Sequence, residues 1–115
     1  MKIGVIGSSG FIGTNFVKNA LMLGHVIFGW DIVPSKVEYY EQESFYFYEW
    51  RDNNFEREDL LSECDGILIL AAKRFTEEFS MDDYFVNIRI VSIILDRCIK
   101  ANIKNIVILS TTGVY

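Results

Sequence analysis

Residues 7–13 read Gly7-Ser8-Ser9-Gly10-Phe11-Ile12-Gly13. The run Lys2–Ile6 before them has the apolar, β-branched character of a buried strand. After them, Phe11–Leu23 carries apolar residues at 12, 16, 17, 20, 21 and 23, a helical stripe closed by Gly24 at the position of a C-terminal cap. The glycines therefore sit where a strand turns into a helix. Gly7 allows a tight turn, Gly10 lets backbone amides approach a pyrophosphate at the positive end of the helix, and Gly13 lets helix and strand pack closely. A plain tight turn would use the same residues.

An acid stands at the place the pyrophosphate reading requires. Val26–Trp30 predicts a second strand, and Asp31 at its end can accept both ribose hydroxyls of an adenosine. Its charge would repel a 2′-phosphate, which favours NAD over NADP. The alternative for Asp31 is an acid that caps its own loop.

Beyond Pro34, short apolar runs continue to alternate with helical spacing, the pattern of a parallel sheet wrapped by helices. Phe45–Trp50 predicts a third strand, Phe55–Cys64 a short acidic helix and Ile67–Leu70 a buried fourth strand. Ser80 and Asp83 can cap a long helix over 80–101, with Phe85, Ile88, Val91, Leu95 and Ile99 at helical spacing. Asn105–Leu109 predicts a fifth strand. The fold class is α/β, a Rossmann-type doubly wound sheet of strand order 3-2-1-4-5, truncated after the fifth strand. Right-handed crossovers put the first helix on one face and the later two on the other. One face of the fourth and fifth strands is then left bare.

A chain of 115 residues makes one domain. Half its residues are apolar, and Gly and Pro number only 8 and 1, which excludes disordered and collagen-like classes. The longest apolar runs fall far short of the roughly 18 residues that cross a bilayer. The polar Ser8-Ser9 and the glycines interrupt the N-terminus too early for a secretory signal. Cys64 and Cys98 lie in separate apolar stretches, far from the single His25, so neither a disulfide framework nor a His/Cys zinc site is expected. Buried, reduced thiols in a cytoplasmic protein are expected instead. His25 reads as a solvated loop residue. The chain carries a net −5, and residues 38–65 hold ten acids against Arg51 and Arg57, which argues against nucleic acid as a partner. In that acidic setting the aromatic residues between 39 and 50 read as edge-strand packing.

Gly-x-x-Gly-Phe-Ile-Gly at 7–13, Asp31, Leu70-Ala71-Ala72 and the terminal Ser110-Thr111-Thr112-Gly113-Val114-Tyr115 together resemble the extended short-chain dehydrogenase/reductase family. Its best-known members are NAD-dependent nucleotide-sugar epimerases and dehydratases. Ile6 departs from the threonine usual there. The resemblance implies NAD as cofactor, held by Gly7, Gly10, Phe11, Ile12, Gly13 and Asp31. It places Asp52 near the adenine amino group, with a helix-preceding cap as the alternative. Ala71 and Ala72 match the small residues over which the cofactor passes, and Asn87 matches an asparagine near the active site. Lys73 and Arg74 read as a solvated pair. Thr111 takes the catalytic position that holds the substrate hydroxyl, while Thr112 and Gly113 replace the acids of the dehydratase branch.

The family's chemistry also needs a tyrosine with a lysine four residues later, and no tyrosine in this sequence has one. The expectation is an NAD-binding domain over 1–115 whose intact protein acts on a nucleotide sugar and which has no turnover by itself. A non-catalytic domain working through nucleotide sensing or protein contacts is the second reading. The resemblance further implies a homo-oligomer formed through the 80–101 helix, and the bare face of the fourth and fifth strands is a second surface expected to drive self-association.

Overall fold

A computed structural model of the chain describes residues 1–33, 43–51, 54–70 and 81–109, apart from the side chains of residues 51, 83, 84, 86 and 87. Strand β1 (Lys2–Ile6) has a core to face on either side, Val5 burying itself on one and Ile6 on the other. Such a strand belongs in the middle of a sheet. With β2 (Val26–Asp31), β3 (Phe45–Arg51), β4 (Asn54–Phe55), β5 (Gly66–Ile69) and β6 (Ile106–Ile108) it forms a six-stranded sheet of order β4-β3-β2-β1-β5-β6. Every pair is parallel except β3 with β4.

The expected fourth and fifth strands are β5 and β6, so the expected parallel order is present, extended at one edge by β4. That edge carries the main correction. Residues 55–64 do not form one helix. Phe55 pairs with Trp50 in β4, Arg57 turns through a left-handed φ of 51°, and a 3-10 helix runs only over Glu58–Glu63. Trp30 accounts for the difference. Its fully buried indole Nε1 donates to the Glu56 carbonyl at 2.7 Å and its ring packs 5.2 Å from that of Phe55, anchoring the turn to the core. Truncating a buried ring of this size costs about 3–5 kcal/mol, more than the weak preference of a few acidic residues for a helical turn.

Helix α1 (Phe11–Met22) covers one face through Val17 and Ala20, which pack with Val5, Ile27 and Phe45. Its buried stripe is narrower than expected, because Gly13, Val17 and Ala20 make the contact while Ile12 and Leu23 stay exposed. Gly24, at φ 88°, ends the helix: its N–H donates to the Leu21 carbonyl and that of His25 to the Ala20 carbonyl, a Schellman closure that favours glycine. The 3-10 helix and α2 (Met81–Lys100) cover the other face, bringing Leu60, Leu61, Ile94 and Cys98 onto Ile6, Trp30, Ile67 and Ile69. This is the division that right-handed crossovers dictate. Among the described residues the bare face is present too, where Leu68 is half-buried while its β6 partner Val107 and Leu109, just past β6, are exposed.

Candidate functional site

Because β1, β2 and β5 are parallel, their carboxyl ends share one edge, and sheet order reverses direction at β1. Ligands of open α/β sheets bind in the crevice at such a reversal. The glycine-rich turn lies there. The Gly7 and Ser8 amides both donate to the Trp30 carbonyl, at 2.7 and 3.3 Å, so the turn is fastened to the end of β2.

The three glycines differ in why they are there. Gly7 has φ 95°, a conformation that side chains disfavour. At Gly13 a Cβ would run into the Gly7 carbonyl oxygen and lie 3.0 Å from the Ser8 backbone, so close packing of helix on turn forbids it. Gly10 is different. It caps α1 in ordinary extended backbone, φ −74° and ψ 175°, and a Cβ there would meet only the Gly7 oxygen at 3.6 Å. The fold does not need a glycine at that position, and a side chain there would occupy the space in front of the helix.

That space is lined by unused donors. The first helical bond runs from the Thr14 amide to the Gly10 carbonyl, which leaves the amides of Phe11, Ile12 and Gly13 without intrahelical partners. Among the described residues no side chain caps them, and no acid stands in the first turn. They carry the partial positive charge of the helix end. Phe11 and Ile12, 79% and 52% exposed, flank the opening.

Asp31 is half-buried beside the turn. Its Oδ2 accepts the Ser9 amide at 2.9 Å, and its Oδ1 accepts those of Ile32 at 2.7 Å and Val33 at 3.4 Å. The loop-capping role is thus real. A carboxylate offers about four acceptor positions, so Oδ2 keeps one to offer a further hydroxyl. The sequence reading missed Ser9, whose hydroxyl donates to the Val33 carbonyl at 2.7 Å. Nothing but its place between two glycines could have singled it out.

The structure brings Gly7, Gly10, Phe11, Ile12, Gly13 and Asp31 together. Asp52, Ala71, Ala72, Lys73, Arg74 and Thr111 lie outside the described residues, and Asn87 has a described backbone position in α2 but no described side chain. The remaining reactive groups stand elsewhere. Burial pushes the Cys64 thiol up to about 12 and that of Cys98 to about 11, which makes both inert as nucleophiles at neutral pH. His25 is half-buried rather than solvated, its Nδ1 3.2 Å from the Met1 amino group. Among the described residues no His/Cys/Asp/Glu group could hold a metal, and no helix is long and apolar enough to cross a membrane.

A model of the NAD dependent epimerase/dehydratase family matches residues 3–115. Among solved structures, MoeE5 in complex with UDP-glucuronic acid and NAD is similar over 100% of this chain and 38% of that one, with TM-score 0.82 and 20% identity. UDP-N-acetylglucosamine 4-epimerase from Bacillus cereus is similar over 100% of this chain and 37% of that one, with TM-score 0.74 and 26% identity. UDP-glucose-4-epimerase from Stenotrophomonas maltophila, with bound NAD and formylated UDP-arabinopyranose, is similar over 97% and 37%, with TM-score 0.82 and 20% identity. The chain therefore spans well under half the length of these proteins. Among curated proteins, none matches it.

Proposed function

The chain belongs to the NAD dependent epimerase/dehydratase family, and from that premise we propose that it is the NAD-holding portion of an enzyme that converts a nucleotide sugar. The observation that carries this reading is Gly10, a glycine that the fold does not require, set before three helix amides that have no intrahelical partner. A diphosphate fits there in charge and in donor count. Asp31 takes a hydroxyl of the adenosine ribose and keeps a 2′-phosphate out, so NAD is preferred to NADP. By resemblance to the family, Asp52 takes the role of the acid for the adenine amino group, Ala71 and Ala72 that of the small residues over which the coenzyme passes, Asn87 that of the active-site asparagine, and Thr111 that of the residue that holds the substrate hydroxyl. Bound NAD supplies a hydride acceptor and donor. The tyrosine–lysine pair that would move the hydroxyl proton does not occur within these 115 residues, so this chain by itself turns over no sugar nucleotide. It associates with a second copy through α2 or the open face of β5 and β6.

Titration calorimetry with NAD and NADP tests the reading. NAD binds and NADP binds more weakly; Asp31→Ala weakens NAD, and Gly10→Val abolishes its binding while leaving the melting temperature close to that of the parent. A folded parent that takes up no NAD would refute it.

A further inference from the structure

Among the described residues, Ser9 ties the segment after β2 to the glycine-rich turn. Ser9 donates its amide to Asp31 Oδ2 at 2.9 Å and its hydroxyl to the Val33 carbonyl at 2.7 Å. Asp31 Oδ1 in turn accepts the amides of Ile32 and Val33. The bonds close a ring that runs from the Ser9 amide through the carboxylate and the 31–33 turn and back to the Ser9 hydroxyl. Ile32 and Val33 are exposed and pack on neither buried core. Hydrogen bonds, not burial, set the course of the chain here.

We propose that Ser9 is a positioning residue: its hydroxyl straps the 31–33 turn to the glycine-rich turn and so fixes where the Asp31 carboxylate stands relative to the α1 amides. This rests on the NAD reading given above. A dinucleotide carries its diphosphate and its adenosine ribose at a fixed separation. It binds well only if helix amides and carboxylate are held at the matching separation beforehand. Without the hydroxyl, the Val33 carbonyl is released to water and the turn that carries the carboxylate loosens. The carboxylate keeps its bond to the Ser9 amide but is less firmly placed.

Two consequences follow for a Ser9→Ala variant. Affinity for NAD drops about fivefold, the worth of one neutral hydrogen bond. Affinity for NADP falls less or rises, because a carboxylate that can swing aside repels a 2′-phosphate less. Selectivity between the coenzymes is therefore what the strap controls.

Calorimetry on the 115-residue chain and on its Ser9→Ala and Ser9→Thr variants, with NAD and NADP, decides the matter. The expected result is a preference for NAD that narrows at least about threefold in Ser9→Ala and is restored in Ser9→Thr, which keeps the hydroxyl. Amide hydrogen exchange at Ile32 and Val33 should quicken in Ser9→Ala alone. Equal loss of both coenzymes, or no loss of either, overturns the role of Ser9 while leaving the NAD reading intact. A folded parent chain that binds neither coenzyme overturns both.

Discussion

The carbonyl oxygen of Gly7 fills the space in which a side chain on Gly13 would begin. The obstruction is backbone, and the same Cβ would sit 3.0 Å from two Ser8 backbone atoms, so no rotamer change can relieve it. Gly13→Ala must push α1 off the turn. Overpacking of this kind costs about 1–3 kcal/mol, and chemical denaturation should show the loss. Gly10→Ala, with its one contact at 3.6 Å, should leave the midpoint nearly unchanged. Equal destabilisation by the two substitutions would contradict the distinction drawn between these glycines.

Ser8 is 1% exposed, and among the described residues its hydroxyl has no hydrogen-bond partner. A buried, unsatisfied polar group costs about 1–3 kcal/mol, so Ser8→Ala should raise stability even though it deletes an atom from the core. Gly29 faces it from β2. A Cβ there would stand 2.7 Å from Ser8 Oγ, 2.9 Å from Ser8 Cβ and 3.1 Å from Phe45 Cε1. Gly29→Ala should therefore destabilise, and adding Ser8→Ala should recover only part, because the Ser8 Cβ and Phe45 contacts remain. Full recovery in thermal denaturation of the double variant would show that the hydroxyl alone was the obstacle.

Much of this fold is legible in the sequence because it depends on local period. β1, β2, β3 and the two long helices have apolar spacing that admits one reading, and Gly24 marks the end of α1 by its backbone freedom. The stretch after Trp50 reads as a helix because Leu60, Leu61 and Cys64 fall on one helical face, while what directs its start is an indole hydrogen bond to Glu56 from Trp30, 26 positions away. The site divides along the same line. The glycines and Asp31 are recognisable by spacing, but the contact between Ser8 and Gly29 and the bond from Ser9 to Val33 arise only when β2 closes on the turn.

The two thiols set an alkaline limit. Burial raises Cys64 from 9.0 to about 12 and Cys98 from 9.0 to about 11. The fold thus favours the neutral thiols, and their contribution is whole below the unfolded value near 9. Above it the unfolded chain releases protons that the folded chain retains, so stability falls as pH rises from about 9 toward 12. Denaturant midpoints measured between pH 8 and 11 should decline, and the slope should be shallower in Cys98→Ala. At pH 8 a thiol reagent should label neither cysteine until denaturant is added. Rapid labelling of the native chain would place the thiols nearer solvent than the packing allows.

Helix α2 presents two apolar lines. Ile90, Ile94 and Cys98 turn toward the sheet, whereas Met81, Phe85, Ile88 and Ile99 are exposed. Exposed Ser92 and half-buried Leu95 complete the second line at alternating spacings of four and three residues, the spacing by which one helix seats against another. Placed antiparallel about Ser92, two such lines would set Phe85 against Ile99 of the second copy, with the small serine where the helices cross. Arg89 and Asp96 flank the line on either side of Ser92, so each would approach its opposite charge. Sedimentation velocity should show a dimer that Ile88→Asp converts to a monomer without lowering the melting temperature of the subunit, because that side chain is exposed and supports no core. A parent chain that sediments as a monomer at high concentration would rule the seam out. A dimer that survives Ile88→Asp and yields to Val107→Asp would move the contact to the open face of β5 and β6.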